Sequence, residues 1–253
     1  MTLSLLVWGL TVGVFAGWVR GFAGFGFSAI CVSGLVWFAS PETIVPVVFT
    51  LEILATLFVW RGALLNFDKS WLKSCILAGL VTTPLGATAL LLLPEAVLKL
   101  TVSIILFVGA LGVRFSIKVH WPDKAMTRLA CGGLMGVFNG ISASGGVVGA
   151  MIMSASGVQP KALRATMAYM LFFSGLYTLF CLSVINTVSG HQSSVWSSNS
   201  WVWLAVLGLG MMLGLHLGGK KFKKTLSNDY RIFVLNLIMI ISGIGIIRSL
   251  IMS

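Results

Sequence analysis

Residues 20–28 read RGFAGFGFS, a glycine-rich stretch with an arginine at its head. Arg20 is the only charged residue among residues 1–41, so it stands in a long apolar sequence. Gly24 and Gly26 follow it without helical spacing, and glycine allows tight turns that other residues rarely adopt. The stretch therefore predicts a helical hairpin whose tip carries a buried arginine.

The composition is that of a membrane protein. Of 253 residues, 58% are hydrophobic and 9% are charged, against roughly 25% charged in soluble domains. The mean hydropathy is +1.02, and apolar stretches of the about 20 residues that cross a bilayer follow one another along the chain. We predict an all-α, polytopic membrane protein. Its net charge of +11 does not indicate nucleic-acid binding, because the basic residues fall in connectors between spans.

The chain contains an internal duplication. When the sequence is shifted by 119 residues, Gly13, Gly17, Gly21 and Gly26 fall on glycines 132, 136, 140 and 145, and Pro41 falls on Pro160. An internal repeat determines the architecture of the whole chain, so we consider it before other features. We therefore divide one integral membrane domain into a first repeat, 1–125, and a second repeat, 126–253.

Each repeat is predicted to hold a glycine-broken helical pair and three transmembrane helices. In the first repeat the pair is 3–20 with 27–39, followed by 43–60, 71–93 and 97–115. In the second repeat the pair is 126–138 with 146–157, followed by 162–185, 201–219 and 232–250.

The positions of the basic residues predict the orientation. Fourteen of the 17 Lys and Arg residues lie in connectors 61–73, 114–128, 157–164 and 220–231, which the positive-inside rule places in the cytoplasm. Both termini are then outside, and the two repeats have opposite orientations. Inverted repeats are typical of secondary transporters, whose site lies near the bilayer midplane where broken helices meet.

The chemistry of the two turns favours an anion. In the first repeat the expected site residues are Arg20, Gly24, Gly26 and Ser28, with a new helix predicted to start near Ser28. In the second repeat the turn is NGISASGG, residues 139–146, and the expected site residues are Asn139, Ser142, Ser144, Gly145 and Gly146. Helix N-termini, a guanidinium and hydroxyl groups are suited to binding a small oxyanion.

Another set of glycines has a different interpretation. Gly9, Gly13, Gly17 and Gly21 are spaced by four residues, which favours close helix packing over substrate contact.

Glu52 is the only acidic residue in the middle of a predicted span. It could form an ion pair with Arg20, carry a proton coupled to transport, or do neither. Other polar residues within spans could line a path or only bond their own helix: Thr50, Thr82, Thr83, Tyr169, Ser174 and Tyr177. The four cysteines show no metal or redox spacing, so no cofactor and no metal site are predicted.

At these turns the chain resembles the TauE/SafE sulfite exporter family, also called the four-toluene-sulfonate uptake permeases. That family has a Gly-x-Gly-Gly-Gly turn near the start of each half, followed by a proline. Here the turns are Gly24-Phe25-Gly26-Phe27-Ser28 and Ser144-Gly145-Gly146-Val147, and Ser33 and Met151 stand in place of the prolines. The resemblance implies transport of sulfite, sulfonates or related small anions across an inner membrane.

The sequence thus predicts a small-anion transporter of the inner membrane, not an enzyme, and leaves a homo-oligomer open. An interior-negative potential favours export, since it drives each negative charge outward by about 2.3 kcal/mol per 100 mV. Two alternatives stay open. One is an intramembrane enzyme acting on a lipid-linked phosphate, and the other is a membrane scaffold that transports nothing.

Overall fold

The protein is all-helical in the part of the chain that its structure describes. The computed structural model describes residues 2–36, 38–63, 66–114, 122–188, 196 and 198–222, and no β-strand occurs among them. These residues form nine helices: α1 Leu3–Ala23, α2 Phe27–Leu35, α3 Pro41–Ala63, α4 Lys69–Leu92, α5 Glu95–Arg114, α6 Ala125–Ser142, α7 Gly145–Ala155, α8 Pro160–Val188 and α9 Ser198–Phe222. The helix predicted over 232–250 lies outside the described residues.

Five of these helices, α1, α3, α4, α8 and α9, are long and apolar enough to cross a bilayer. This confirms the prediction of a polytopic helical membrane protein. Many of their large apolar side chains are exposed, such as Val81 at 73% and Phe180 at 63%. In a membrane such side chains contact lipid, so their exposure is expected.

Proline marks the start of two equivalent helices. Pro41 is the first residue of α3, and Pro160 is the first residue of α8. Proline suits this position because its missing N–H would have no partner inside the helix and its φ angle is already helical. The two prolines coincide under the shift of 119 residues, so α3 and α8 begin in the same way.

Asp68 caps the N-terminus of α4, and its removal is a first testable prediction. Its carboxylate accepts hydrogen bonds from the backbone N–H groups of Ser70 at 2.9 Å and Trp71 at 3.1 Å. We expect Asp68→Ala to lower the free energy of unfolding by about 1 kcal/mol, measured in detergent by thermal unfolding. Asp68→Asn keeps an acceptor and should stay close to wild type. Equal losses in both variants would contradict the capping role.

Helices α1 and α9 pack closely through glycines. A Cβ atom placed on Gly13 would lie 2.9 Å from the backbone oxygen of Leu207, and one on Gly210 would lie 2.7 Å from that of Leu10. Gly17 likewise meets the backbone of Met211. The residues in contact have increasing numbers along both helices, so the two helices run in the same direction. The packing interpretation of Gly13 and Gly17 is confirmed.

Helices α4 and α6 form a second pair of the same kind. Gly132 contacts the backbone of Cys75, and a Cβ atom on Gly136 would lie 3.0 Å from the Cα atom of Gly79. One on Gly86 would lie 2.9 Å from the Cα atom of Gly140. These two helices also run in the same direction. Helix α1 is thus paired with α9, and α6 is paired with α4.

The two short helices lie inside this framework. Every residue of α2 is buried, and α7 is buried from Gly145 to Met153 except at Met151. Helix α2 contacts α1, α3, α5 and α7, so the two short helices meet in the interior. Breaks in the backbone at membrane depth are tolerated where protein surrounds them, and this is where both breaks lie.

The predicted bounds of the broken pairs need correction. Helix α2 ends at Leu35, four residues before the predicted end, because the chain turns there toward Pro41. Helix α6 continues to Ser142 rather than ending at 138, since Phe138, Asn139 and the following residues keep helical hydrogen bonding until Ala143 closes the helix.

Candidate functional site

The first break joins α1 to α2 at Gly24–Gly26. Gly24 has φ +83° and Gly26 has φ +91°, in the left-handed region that favours glycine. The N–H of Gly24 donates to the carbonyl oxygen of Arg20 at 2.9 Å and closes α1. Arg20 itself lies in the last turn of α1, so the break is shorter than RGFAGFG and begins after Arg20.

Arg20 is enclosed by protein, with 3% of its surface exposed. One guanidinium nitrogen, Nη1, donates to the carbonyl oxygen of Gly24. The other, Nη2, donates to Thr56 Oγ1 at 2.8 Å and lies 3.2 Å from Glu52 Oε2. The side chain therefore ties the break to the middle of α3.

Glu52 faces both Arg20 and the N-terminus of α2. It is 1% exposed, and its Oε1 accepts from the backbone N–H of Ser28 at 3.3 Å. Its Oε2 faces Arg20 but makes no hydrogen bond with any described residue. Of the roles that the sequence leaves open for Glu52, the ion pair is the one present in this geometry. The proton role stays a prediction.

Arg164 of α8 is a component of the first break that the sequence does not reveal. Its Nη2 donates to the carbonyl oxygen of Gly21 at 2.7 Å, and its side chain packs against Gly24. From the sequence, Arg164 is expected among the cytoplasmic connector charges. One feature of the sequence does indicate a role beyond the connector: Arg164 comes four residues after Pro160 and therefore lies inside α8.

The second break, between α6 and α7, is shorter than the predicted turn 139–146. Only Ala143 and Ser144 are non-helical, and Ala143 takes the left-handed conformation with φ 54°. Gly145 and Gly146 belong to the first turn of α7 and do not form the turn. The hydroxyl groups of Ser142 and Ser144 share a hydrogen bond of 2.6 Å.

Asn139 occupies the position equivalent to Arg20. It is fully buried, and its Nδ2 donates to Ser174 Oγ at 3.0 Å. Its Oδ1 lies against Gly145 and accepts no hydrogen bond from the described residues. A buried polar atom without a partner is costly, so it marks a place where a further hydrogen-bonding group would be stabilised.

A cavity of about 360 Å³ lies beside Asn139, between α4, α6 and α8. Most of its lining is apolar, including Met135, Met170 and Phe173. Its polar groups come from Thr83, Asn139, Ser174 and Tyr177, and the hydroxyl of Tyr177 donates to the carbonyl oxygen of Leu80 at 2.9 Å. Mostly apolar cavities of this size with a few polar groups are typical of small-molecule sites.

The two breaks differ in charge but correspond in position. Glu52 lies against Ser28 in α2, and its repeat equivalent Leu171 lies against Gly146 in α7. The first break is thus built around an ion pair and the second around neutral groups. The structure gathers the predicted site residues into these two clusters, and their contact with a substrate stays a prediction.

Comparison with known proteins assigns the family. The sequence model described as "Sulfite exporter TauE/SafE" matches residues 9–246, nearly the whole chain. No curated protein and no solved structure matches the chain. The match agrees with the apolar helices and with the resemblance at the two glycine-rich turns, so the chain belongs to the TauE/SafE sulfite exporter family of membrane transporters.

Proposed function

We propose that the protein is a secondary transporter that moves a small anion, sulfite or a sulfonate, outward across the inner membrane. The observation that carries this proposal is the Arg20 guanidinium, 3% exposed, at a helix break inside a membrane protein. A charge at this depth is costly and usually serves a substrate or ion pathway. The family match supports sulfur-containing anions as the class of substrate.

The pairing of the helices supports an inverted repeat. Helix α1 packs parallel to α9, and α6 packs parallel to α4. Helices α4 and α6 both begin close to basic residues, Lys69 and Lys73 for one and Lys124 and Arg128 for the other. Helix α9 instead ends at Lys220 and Lys221. Under the positive-inside rule the two pairs cross the membrane in opposite directions.

This arrangement supports a binding site between the two breaks. Helices α2 and α7 contact each other, and Phe27, Ala143 and Val147 share one hydrophobic core. The cationic group on one side is Arg20, and the neutral hydrogen-bonding groups on the other are Asn139 and the paired serines. Alternating exposure of such a site by movement of one repeat against the other is the usual mechanism of inverted-repeat transporters.

Flux into proteoliposomes tests this function. Purified protein should move sulfite, and sulfoacetate should be compared as an organic sulfonate. A negative potential on the anion-loaded side should accelerate the loss of anion from that side, since the potential drives negative charge away. Absence of flux for every small anion tested would contradict the proposal.

Asn139→Leu is a specific prediction for the second break. We expect anion flux to fall by roughly tenfold or more, the effect of losing one hydrogen bond to a charged ligand. Stability should change little, because the substitution also removes an unpartnered buried oxygen. Thr88→Val is the control, since Thr88 Oγ1 only bonds the carbonyl oxygen of Pro84 in its own helix at 2.8 Å. Equal flux in both variants would show that Asn139 is not part of the binding site.

A further inference from the structure

We infer that the Glu52 carboxylate is an internal competitor of the transported anion, and that anion binding at Arg20 is coupled to the uptake of one proton by Glu52. The inference rests on the proposed function and adds the coupling ion to it.

The geometry of the first break shows the competition. The break offers two groups that would attract an anion, the Arg20 guanidinium and the backbone N–H of Ser28 at the start of α2. Glu52 engages both, through Oε2 at 3.2 Å and Oε1 at 3.3 Å. An incoming anion needs the same two groups, so it cannot bind there until the carboxylate moves away.

The contacts that hold Glu52 are longer or fewer than those of a fully hydrogen-bonded carboxylate. The contact with Ser28 is longer than the usual 2.9–3.0 Å of an N–H···O bond. Oε2 lies near Arg20 without forming a hydrogen bond to it. The guanidinium is fixed independently of Glu52, because it also donates to Gly24 and Thr56. Arg20 can therefore keep its place when its carboxylate partner leaves.

Within the described part of the chain, no second cation forms an ion pair with Glu52. Among the described residues, the charged or titratable groups that face Glu52 are Arg20 from α1 and the Cys31 thiol from α2. Arg164 of α8 lies close enough to Arg20 for their positive charges to repel each other, and its guanidinium donates to the carbonyl oxygen of Gly21. Helices α4, α5, α8 and α9 also pack on α3, and none of their described residues forms an ion pair with Glu52.

A buried carboxylate without a partner takes up a proton rather than staying charged. The proton comes from water on the side to which the site is open, and it forms the O–H bond of a neutral Glu52. Arg20 keeps its own proton. For a monovalent anion the charge of the cluster is then the same before and after binding, because the anion has replaced the carboxylate.

This coupling changes what drives transport. A monovalent anion that moves with one proton carries no net charge, so the membrane potential does not act on it and the concentration gradients decide the direction. A divalent anion retains one negative charge and is still driven outward. Export of a monovalent anion then depends on its accumulation inside the cell and on the proton gradient, because a proton leaves with each anion.

The test measures binding of methanesulfonate, which stays a monovalent anion throughout the pH range used. For the wild type we expect the Kd to fall about tenfold for each unit by which the pH is lowered from 8 to 6, because one proton binds with each anion. Glu52→Gln keeps the shape of the side chain and removes its charge. Its Kd should not change with pH, and at pH 8 it should be at least about tenfold lower than that of the wild type.

Glu42→Gln is the matched control, because it removes an exposed carboxylate from the first turn of the same helix. It should keep the pH dependence of the wild type. If Glu52→Gln does not fold, calorimetry of anion binding to the wild type in two buffers with different ionisation heats measures the number of protons taken up. We expect about one proton for each anion bound. Binding without proton uptake overturns the coupling and leaves the proposed function standing. No binding of either methanesulfonate or sulfite overturns both.

Discussion

Arg20→Asn is expected to lower the free energy of unfolding by about 3–5 kcal/mol and to abolish anion flux. Removal of one partner from a buried ion pair is costly, because the remaining group must either stay charged without compensation or take up a proton. Here the remaining group is Glu52, 1% exposed, with no other cation paired to it among the described residues. Asparagine is the residue at the equivalent position 139, which is also in the last turn of a helix before a break.

The double variant Arg20→Asn/Glu52→Leu separates stability from function. It gives the first break the residues of the second, Asn139 and Leu171. Replacement of a whole buried ion pair by neutral residues is often neutral or stabilising. We therefore expect most of the lost stability to return, measured by thermal unfolding in detergent, while flux in proteoliposomes stays absent. A double variant that transports normally would show that the ion pair has a structural role only.

The main features of the first break can be predicted from the sequence because each depends on a local signal. Gly24 and Gly26 take the left-handed conformations that their spacing suggests. Glu52 is the only acid in the middle of a span, which makes it an obvious partner for Arg20. An isolated charge in an apolar sequence needs compensation, and few residues can provide it.

The features that the sequence does not reveal depend on packing between distant helices. Arg164 reaches Gly21, 143 residues earlier in the chain, and this contact exists only because α8 lies beside the end of α1. Positive-inside counting places Arg164 correctly near the end of a span but says nothing about what its side chain contacts. The bounds of the second break cannot be predicted for another reason, since Ala143 and not a glycine adopts the left-handed conformation there.

The partners of the spaced glycines are likewise a tertiary property. A spacing of four predicts that one face of α1 is flat, and it does not identify the helix that packs on that face. The structure provides the partner, α9, with its own glycines at 210, 214 and 218. Helix α1 carries Arg20, and α9 also packs on α3, which carries Glu52. The packing of α1 on α9 therefore contributes to the distance between Arg20 and Glu52.

Gly214→Ala tests this dependence and is expected to lower the free energy of unfolding by about 3 kcal/mol. Its Cβ atom would meet the backbone oxygen of Val14 and would lie 2.5 Å from the backbone nitrogen of Trp18. Backbone atoms cannot turn aside as side chains can, so α1 and α9 must separate, and such overpacking usually costs about 1–3 kcal/mol. Since Trp18 is two residues before Arg20, we also expect flux to fall by at least about tenfold.

Gly208→Ala is the control on the same helix, where the added Cβ atom would lie 3.4 Å from the flexible side chain of Leu51. Alanine favours helix over glycine by about 1 kcal/mol at both positions, so the difference between the two variants isolates the contact with α1. Gly136→Ala meets Thr82 and Gly79 in the equivalent pair, α4 and α6, and should lose similar stability. Wild-type stability and flux in Gly214→Ala would mean that α1 and α9 are not in backbone contact, and the placement of Arg20 beside Glu52 would then need another cause.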